Sequence, residues 1–294
     1  MVKVLPFKPV AFAGGKDKSR FLAPPYDVIS PGLQKELYKK SRYNVVRLIF
    51  GRRYSSDNDG RNCYTRAAEF YEKWMTSGKL YGEQEGIFLL EQSFKFRGEN
   101  FKRLGAVTRL DWKTTDEKSI IPHEKTFASH RRDRLRLLRK LPYNFSPVFL
   151  LTGGIEKLLE AARKNSKKTF SYSAPGERGA LFRVSGEYRK KISLSLAGKK
   201  MIIADGHHRL TVSKDYYGKN PRARYFLIYV TDFRSRGCLL LSGQDRKTEL
   251  GRDVITGVLK TGKLLKQKTT YFWPKLPSGL LIHPVGEAMS GKSG

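Results

Sequence analysis

Apolar positions along the chain alternate between two spacings, and the changes of spacing mark out elements. From Tyr64 to Thr76, Ala67, Phe70, Tyr71 and Trp74 recur at helical intervals and Gly78 follows, which predicts a helix with a glycine stop. Ser30-Pro31 offers an N-cap followed by proline at the first helical position, so another helix is expected through Leu33, Leu37 and Tyr38. Ile87–Phe96 and Phe101–Leu110 are two extended runs around a Gly-containing turn and read as a hairpin. Val45–Phe50, Ser146–Leu151, Leu181–Val184, Met201–Ala204 and Tyr225–Val230 also read as strands. Ile155–Lys164 reads as a helix and Arg163–Ser173 as a polar loop. Thr269–Trp273 and Gly279–Ile282 are expected to pair around Pro274 and Pro277. Val2–Pro9 is apolar and proline-bounded, an edge strand or an extended arm. No internal repeat is visible, and the irregular alternation predicts a mixed α+β chain.

The 294 residues carry 58 Lys+Arg against 27 Asp+Glu, a net charge of +31, with 39% hydrophobic residues. This composition describes a folded basic protein rather than a disordered tail. No apolar run nears the roughly 18 residues a membrane helix needs. Proline interrupts the N-terminus before a signal core forms. Cys63 and Cys238 stand 175 residues apart with no CxxC, which fits a reducing compartment; a cytoplasmic location is expected. The charge attracts phosphorylated partners, nucleic acid among them. Its densest stretch is 131–140, with six basic side chains and one acid. On a helix Arg132, Arg136 and Arg139 would form a cationic outer face, with Leu135 and Leu138 on another face docked on a core. Zinc-finger, RNA-recognition and basic-zipper signatures are absent.

The densest candidate chemistry is Met201–Ala204 running directly into Asp205-Gly206-His207-His208-Arg209. A strand, a glycine turn and a helix start bring the positive end of a helix dipole to one point. Two imidazoles and a guanidinium there suit a phosphate, and Asp205 could orient a histidine or a magnesium-bound water. The plainer account makes Asp205 an N-cap and the histidines surface residues. In Ile120–Thr126, His123-Glu124 lacks the second histidine of a zinc-protease helix, because Phe127 occupies that position. Glu124 is a candidate general base, or a loop carboxylate paired with Lys125. Ala23–Val28 is stiffened by two prolines and presents Tyr26 and Asp27, as a corner or as a lid over a pocket. P-loop, GxSxG, GxGxxG and kinase signatures are absent.

The segments APPYDVIS (23–30), IIPHEKT (120–126), DRLRLLRKLPYNFSPVFLL (133–151), IADGHHR (203–209) and KTTYFWPKLPSGLLI (268–282) occur in this order. Together they resemble a prokaryotic family catalogued as domain of unknown function ten-fifteen. Members of that family are commonly longer between the last two segments, which here lie about 60 residues apart, and carry a His-Arg pair where this chain has Asp245-Arg246. The succession of HE, helix, strand and DGHHR also resembles the ParB/sulfiredoxin-like superfamily, and within it the free-serine kinases, whose turn reads Asp-Gly-His-x-Arg. That resemblance implies a ParB/sulfiredoxin-like core over 116–294 behind an N-terminal α+β region over 1–115. It implies phosphate or magnesium contacts from Asp205, Gly206, His207 and Arg209, with His208 at the variable position. Glu124 would take a proton from an acceptor hydroxyl. Independently of that resemblance, Tyr26, Asp27 and His123 are candidate substrate-loop residues.

The expectation is therefore a phosphotransferase using ATP or ADP with Mg2+ on a small, serine-like metabolite. The alternative is a non-catalytic regulator that binds nucleic acid or nucleotide, and a third account is a family member whose activity went with the shortened region.

Overall fold

The computed structural model describes residues 2–122, 127–242, 248–249, 270–273 and 275–286. Nine strands form one mixed sheet: β1 (Val4–Leu5), β2 (Ile87–Phe96), β3 (Glu99–Asp111), β4 (Ile120–Ile121), β5 (Val148–Thr152), β6 (Ser166–Ala174), β7 (Glu177–Val184), β8 (Met201–Asp205) and β9 (Tyr225–Asp232). Their order is β4-β8-β5-β9-β3-β2-β7-β6, with β1 alongside the end of β3 through Val4↔Leu110. Two pairings are parallel, β8 with β4 and β9 with β5, and the rest antiparallel. The expected hairpin is β2–β3. Its two turn residues, Arg97 (φ 50°) and Gly98 (φ 83°), have the left-handed backbone that suits a tight two-residue turn. The sheet runs across the division expected at 115/116, since β3 pairs with β9 from Tyr225↔Asp111 to Thr231↔Gly105.

Alternation along the strands gives the sheet two apolar faces. Ile87, Leu89, Val148, Leu150, Ile228 and Val230 face a layer of α5 (Glu156–Lys164), α6 (Glu187–Leu196) and α7 (His207–Lys219). Phe88, Leu90, Phe149, Leu151, Leu227 and Tyr229 face the N-terminal arm and the C-terminal segment, which contributes Leu276, Leu280 and Leu281. A separate cluster gathers α1 (Pro31–Lys40), α2 (Val46–Ile49), α3 (Cys63–Thr76) and the end of α4 (Ala128–Lys140) around Leu48, Trp74 and Phe145. Ser30 caps α1 by accepting from the Leu33 N–H, and Asn62 and Thr65 form a capping box on α3. Cys63 and Cys238 are both buried. Among the described residues no helix is long and apolar enough to cross a membrane.

Several elements depart from the sequence pattern. Val45–Phe50 is not a strand: Val46–Ile49 is a helical turn. Asn44 imposes it, donating to the Arg20 and Leu22 carbonyls and accepting from the Val46 N–H, and burial of Val46, Leu48 and Ile49 erases any periodicity. The polar stretch expected as a loop forms β6, an edge strand that buries Phe170 and Tyr172 while Lys167 and Lys168 stay exposed. The sequence pattern also missed α6. Thr270–Trp273 pairs with Leu239–Ser242 rather than with Gly279–Ile282. The segment 275–286 is instead stitched to distant chain: Ser278 exchanges backbone bonds with Ala23, Ile282 with Val10, and His283–Pro284 pairs with Tyr143–Asn144.

The basic helix also turns a different face inward. Arg134 and Leu137 are its buried residues, while Leu135 and Leu138 are half-buried. A buried guanidinium survives because its charge and donors are used: Arg134 is paired with Asp133 and donates to the Ile49 carbonyl at 2.9 Å.

Candidate functional site

Strand β8 ends at Asp205, and Gly206 turns the chain directly into α7 with φ 98°. A Cβ at Gly206 would lie 2.9 Å from both Val148 Cγ2 and Arg209 Nη2, so neither the backbone nor the space admits a side chain. Arg209 folds back over this glycine. Its Nη2 pairs with Asp205 Oδ2 at 2.5 Å and its Nη1 donates to the Pro147 carbonyl at 2.7 Å. Arg209 is thus a fixed positive charge at the N-terminal end of α7, added to the helix dipole.

Two distant segments complete the cluster. Asp27 sits in a short 3-10 turn, Tyr26–Val28, after Pro24-Pro25. Lys275 arrives on the C-terminal segment, because the Ala23–Ser278 bridge clamps that segment to the proline loop. Its Nζ lies 2.6 Å from Asp27 Oδ2 and 3.5 Å from Asp205 Oδ1. The charges therefore alternate Asp27, Lys275, Asp205, Arg209. Burial alone would raise the Asp27 carboxyl, but Lys275 and Arg209 outweigh it and hold it below the usual carboxylate range. Burial works to lower the Lys275 ammonium, and Asp205 and Asp27 reverse this and raise it. Both groups are charged at neutral pH.

Tyr26 forms the wall beside them. Its ring lies 3.8 Å under the Arg134 guanidinium, and burial pushes its phenol up against the pull of Arg134 and Arg209. On the other side, rings run Tyr26, His130, His208, with centroids 6.2 and 4.9 Å apart. Phe127, 67% exposed, stacks on His208, and its backbone N–H donates to His208 Nε2 at 2.9 Å. A backbone N–H can only donate, so His208 Nε2 is the acceptor in this contact. His207 is buried rather than a surface residue. Tyr26, Arg134, Arg209, Ser146, Ser213 and Ser278 line an inner cavity of 70 Å³.

The turn residues Asp205–Arg209 and the loop residues Tyr26 and Asp27 thus come together. His123 and Glu124 lie outside the described residues, as does the Asp245-Arg246 pair. Among the described residues no three His, Cys, Asp or Glu side chains converge on a metal position, and Asp205 is engaged by two cations. Lys275, Arg134 and His130 are additions that sequence reasoning did not assign. The WPKLPSG stretch around Lys275 was noticeable, but nothing local connects it to residues some 250 positions earlier.

Fold and cluster together define an α+β protein whose charged cleft sits at a strand–glycine–helix turn. The family model described as a protein of unknown function, DUF1015, matches residues 4–242, and the chain belongs to that family. Lys275 lies beyond the matched stretch. No curated protein and no solved structure matches the chain.

Proposed function

We propose that the protein is a nucleotide-dependent phosphotransferase acting on a small hydroxylated metabolite, with free serine or a related three-carbon acid as the first acceptor to try. The observation that carries this reading is the alternating run Asp27, Lys275, Asp205, Arg209 at the start of α7, beside a cavity of 70 Å³ lined by Tyr26 and Arg209. Phosphoryl transfer needs positioning and charge stabilisation more than covalent help from the protein. Arg209, already held by Asp205 and the Pro147 carbonyl, is a charge that need not reorganise when negative charge develops on a phosphate. Lys275 is the second cation, and the ParB/sulfiredoxin-like use of such a turn belongs to the same reading.

Magnesium in such enzymes is held by one or two carboxylates together with substrate phosphates. Asp27 and Asp205 are the two carboxylates that would hold it, in place of the contacts both now make to Lys275. Bound there with a nucleotide, the ion would screen the phosphate oxygens. Glu124, by its resemblance to the upstream glutamate of the serine kinases, would accept the proton of the acceptor hydroxyl.

The test is calorimetric titration of ATP and ADP with magnesium at near-physiological salt, followed by an acceptor screen that begins with serine. Stoichiometric binding lost in Arg209→Ala, with binding kept but turnover lost in Glu124→Gln, is the expected result. No nucleotide binding to the wild-type protein would defeat the reading.

A second reading, a regulator that binds nucleic acid without catalysis, is favoured by the exposed Arg132, Arg136 and Arg139 on one face of α4. It requires affinity that falls steeply with salt and weakens when those three are neutralised. Salt-insensitive binding would exclude it.

A further inference from the structure

A second and larger cavity, 470 Å³, lies on the far side of Tyr26 from the inner one. Its walls include Tyr26, Phe50, Tyr64 and His130, and its guanidinium groups are Arg132 and Arg136 from α4 together with Arg53. This volume is in the range of pockets that hold cofactors and small ligands, about 300–1,000 Å³. The charge balance inside it is uneven. Asp133 is matched by Arg134, by Arg53 at 2.7 Å and by the Tyr64 hydroxyl at 2.8 Å. Asp27, on the rim, is matched by Lys275. Arg132 and Arg136 stand four residues apart on one exposed face, and among the described residues neither side chain makes a hydrogen bond or an ion pair. The cavity therefore offers two uncommitted guanidinium groups beside aromatic rings.

We infer that this outer cavity binds the nucleoside monophosphate portion of a nucleotide. The ring system would lie against the aromatic walls, and the phosphate nearest the sugar would be held by Arg132 and Arg136. Planar guanidinium forks suit phosphate oxygens better than an ammonium does. The route onward is short. His130 lines the cavity and its ring is 4.9 Å from that of His208 in the first turn of α7. Asp27 lines it too, and Lys275 links Asp27 to Asp205. Further phosphates of the same nucleotide would run past Tyr26 towards Lys275 and Arg209. The inference deepens the phosphotransferase reading, on which this last extension rests; the cavity as a nucleotide site does not depend on turnover.

The experiment titrates AMP, ATP and inorganic phosphate, at constant ionic strength, into wild type and three variants: Arg132→Ser/Arg136→Ser, Arg139→Ser/Lys140→Ser and Arg209→Ala. The second variant removes the same charge from the same helix outside the cavity. One-to-one AMP binding is expected, weakened about tenfold or more in Arg132→Ser/Arg136→Ser. It should be unchanged in the other two variants, and all four proteins should melt alike or be compared after correction for folded fraction. ATP binding should weaken in both Arg132→Ser/Arg136→Ser and Arg209→Ala. Equal losses in the two charge-removal variants would reduce the effect to the general positive field and overturn the assignment. So would undetectable AMP binding, AMP binding no tighter than phosphate, or displacement of AMP by an oligonucleotide with a steep salt dependence. If AMP behaves as expected but ATP ignores Arg209, the turn reading fails and the cavity stands. If ATP depends on Arg209 but not on Arg132 and Arg136, the cavity fails and the turn reading stands.

Discussion

Lys275 and Asp27, 248 residues apart in the chain, meet at 2.6 Å between Nζ and Oδ2. The contact fastens the C-terminal segment to the proline loop and places a cation between two carboxylates, so it supports stability and site electrostatics together.

Replacing Lys275 by Met leaves Asp27 and Asp205 facing each other without their shared cation. With Lys275 20% and Asp27 33% exposed, water relieves part of the penalty. The expected loss is about 1–3 kcal/mol in urea unfolding at neutral pH. Because Asp27 is held below the usual carboxylate range, this stabilisation is complete above the unfolded carboxylate pKa and is lost as pH falls through the folded one. In an Asp27→Asn background the same substitution should cost less, and strictly additive losses in the double-mutant cycle would show that the pair is uncoupled.

Gly206→Ala should damage the turn. A side chain at φ 98°, 2.9 Å from Val148 and Arg209, must move the backbone or expel the guanidinium. Nucleotide affinity and melting temperature should both fall. Gly218→Ala, in the same helix with open space around it, should be neutral or stabilising by up to about 1 kcal/mol. Similar behaviour of the two variants would contradict the close approach at the turn.

Arg134→Leu removes a buried charge that stacks on Tyr26, pairs with Asp133 and donates to Ile49. Asp133 keeps Arg53 and Tyr64, so the cost should fall near the lower end for a broken buried pair, about 2–4 kcal/mol. Arg134→Lys should recover only part of it, since an ammonium cannot reproduce the fork. A urea midpoint unchanged in Arg134→Leu would refute a structural role.

His283 is buried against Phe7 and Tyr225, and burial together with nearby Arg109 lowers its pKa to about 3. The unfolded chain therefore takes up a proton below pH about 6.5 while the folded one does not, and stability falls as pH drops from there towards about 3. The slope from this one group is at most about 1.4 kcal/mol per pH unit. His283→Phe, which suits the aromatic surroundings, should remove that contribution, so the difference between variant and wild type widens on acidification. A difference independent of pH between 4 and 7, roughly the interval between the two pKa values, would mean that His283 titrates alike in both states.

Elements whose signals are local were legible along the chain. Ser30-Pro31 capped α1, the spacing of Ala67, Tyr71 and Trp74 set α3, and two extended runs around Gly98 made the β2–β3 hairpin. The sequence also showed the Asp205–Arg209 turn, because its groups are consecutive and its glycine is required by a positive φ. Features that depend on distant neighbours were set by folding. Val46–Ile49 became helical because Asn44 holds chain from Arg20 to Leu22, and β6 became a strand because β7 gave its backbone a partner. The face of α4 turned inward on Arg134 once Asp133 and the Ile49 carbonyl could satisfy that charge. Lys275 entered the site only when Ser278 bridged to Ala23. Propensity and capping act over a few residues and can be read along the chain. Charge pairing and burial act across space, so residues such as Lys275 and Asp27 acquire their partners only when the chain has folded.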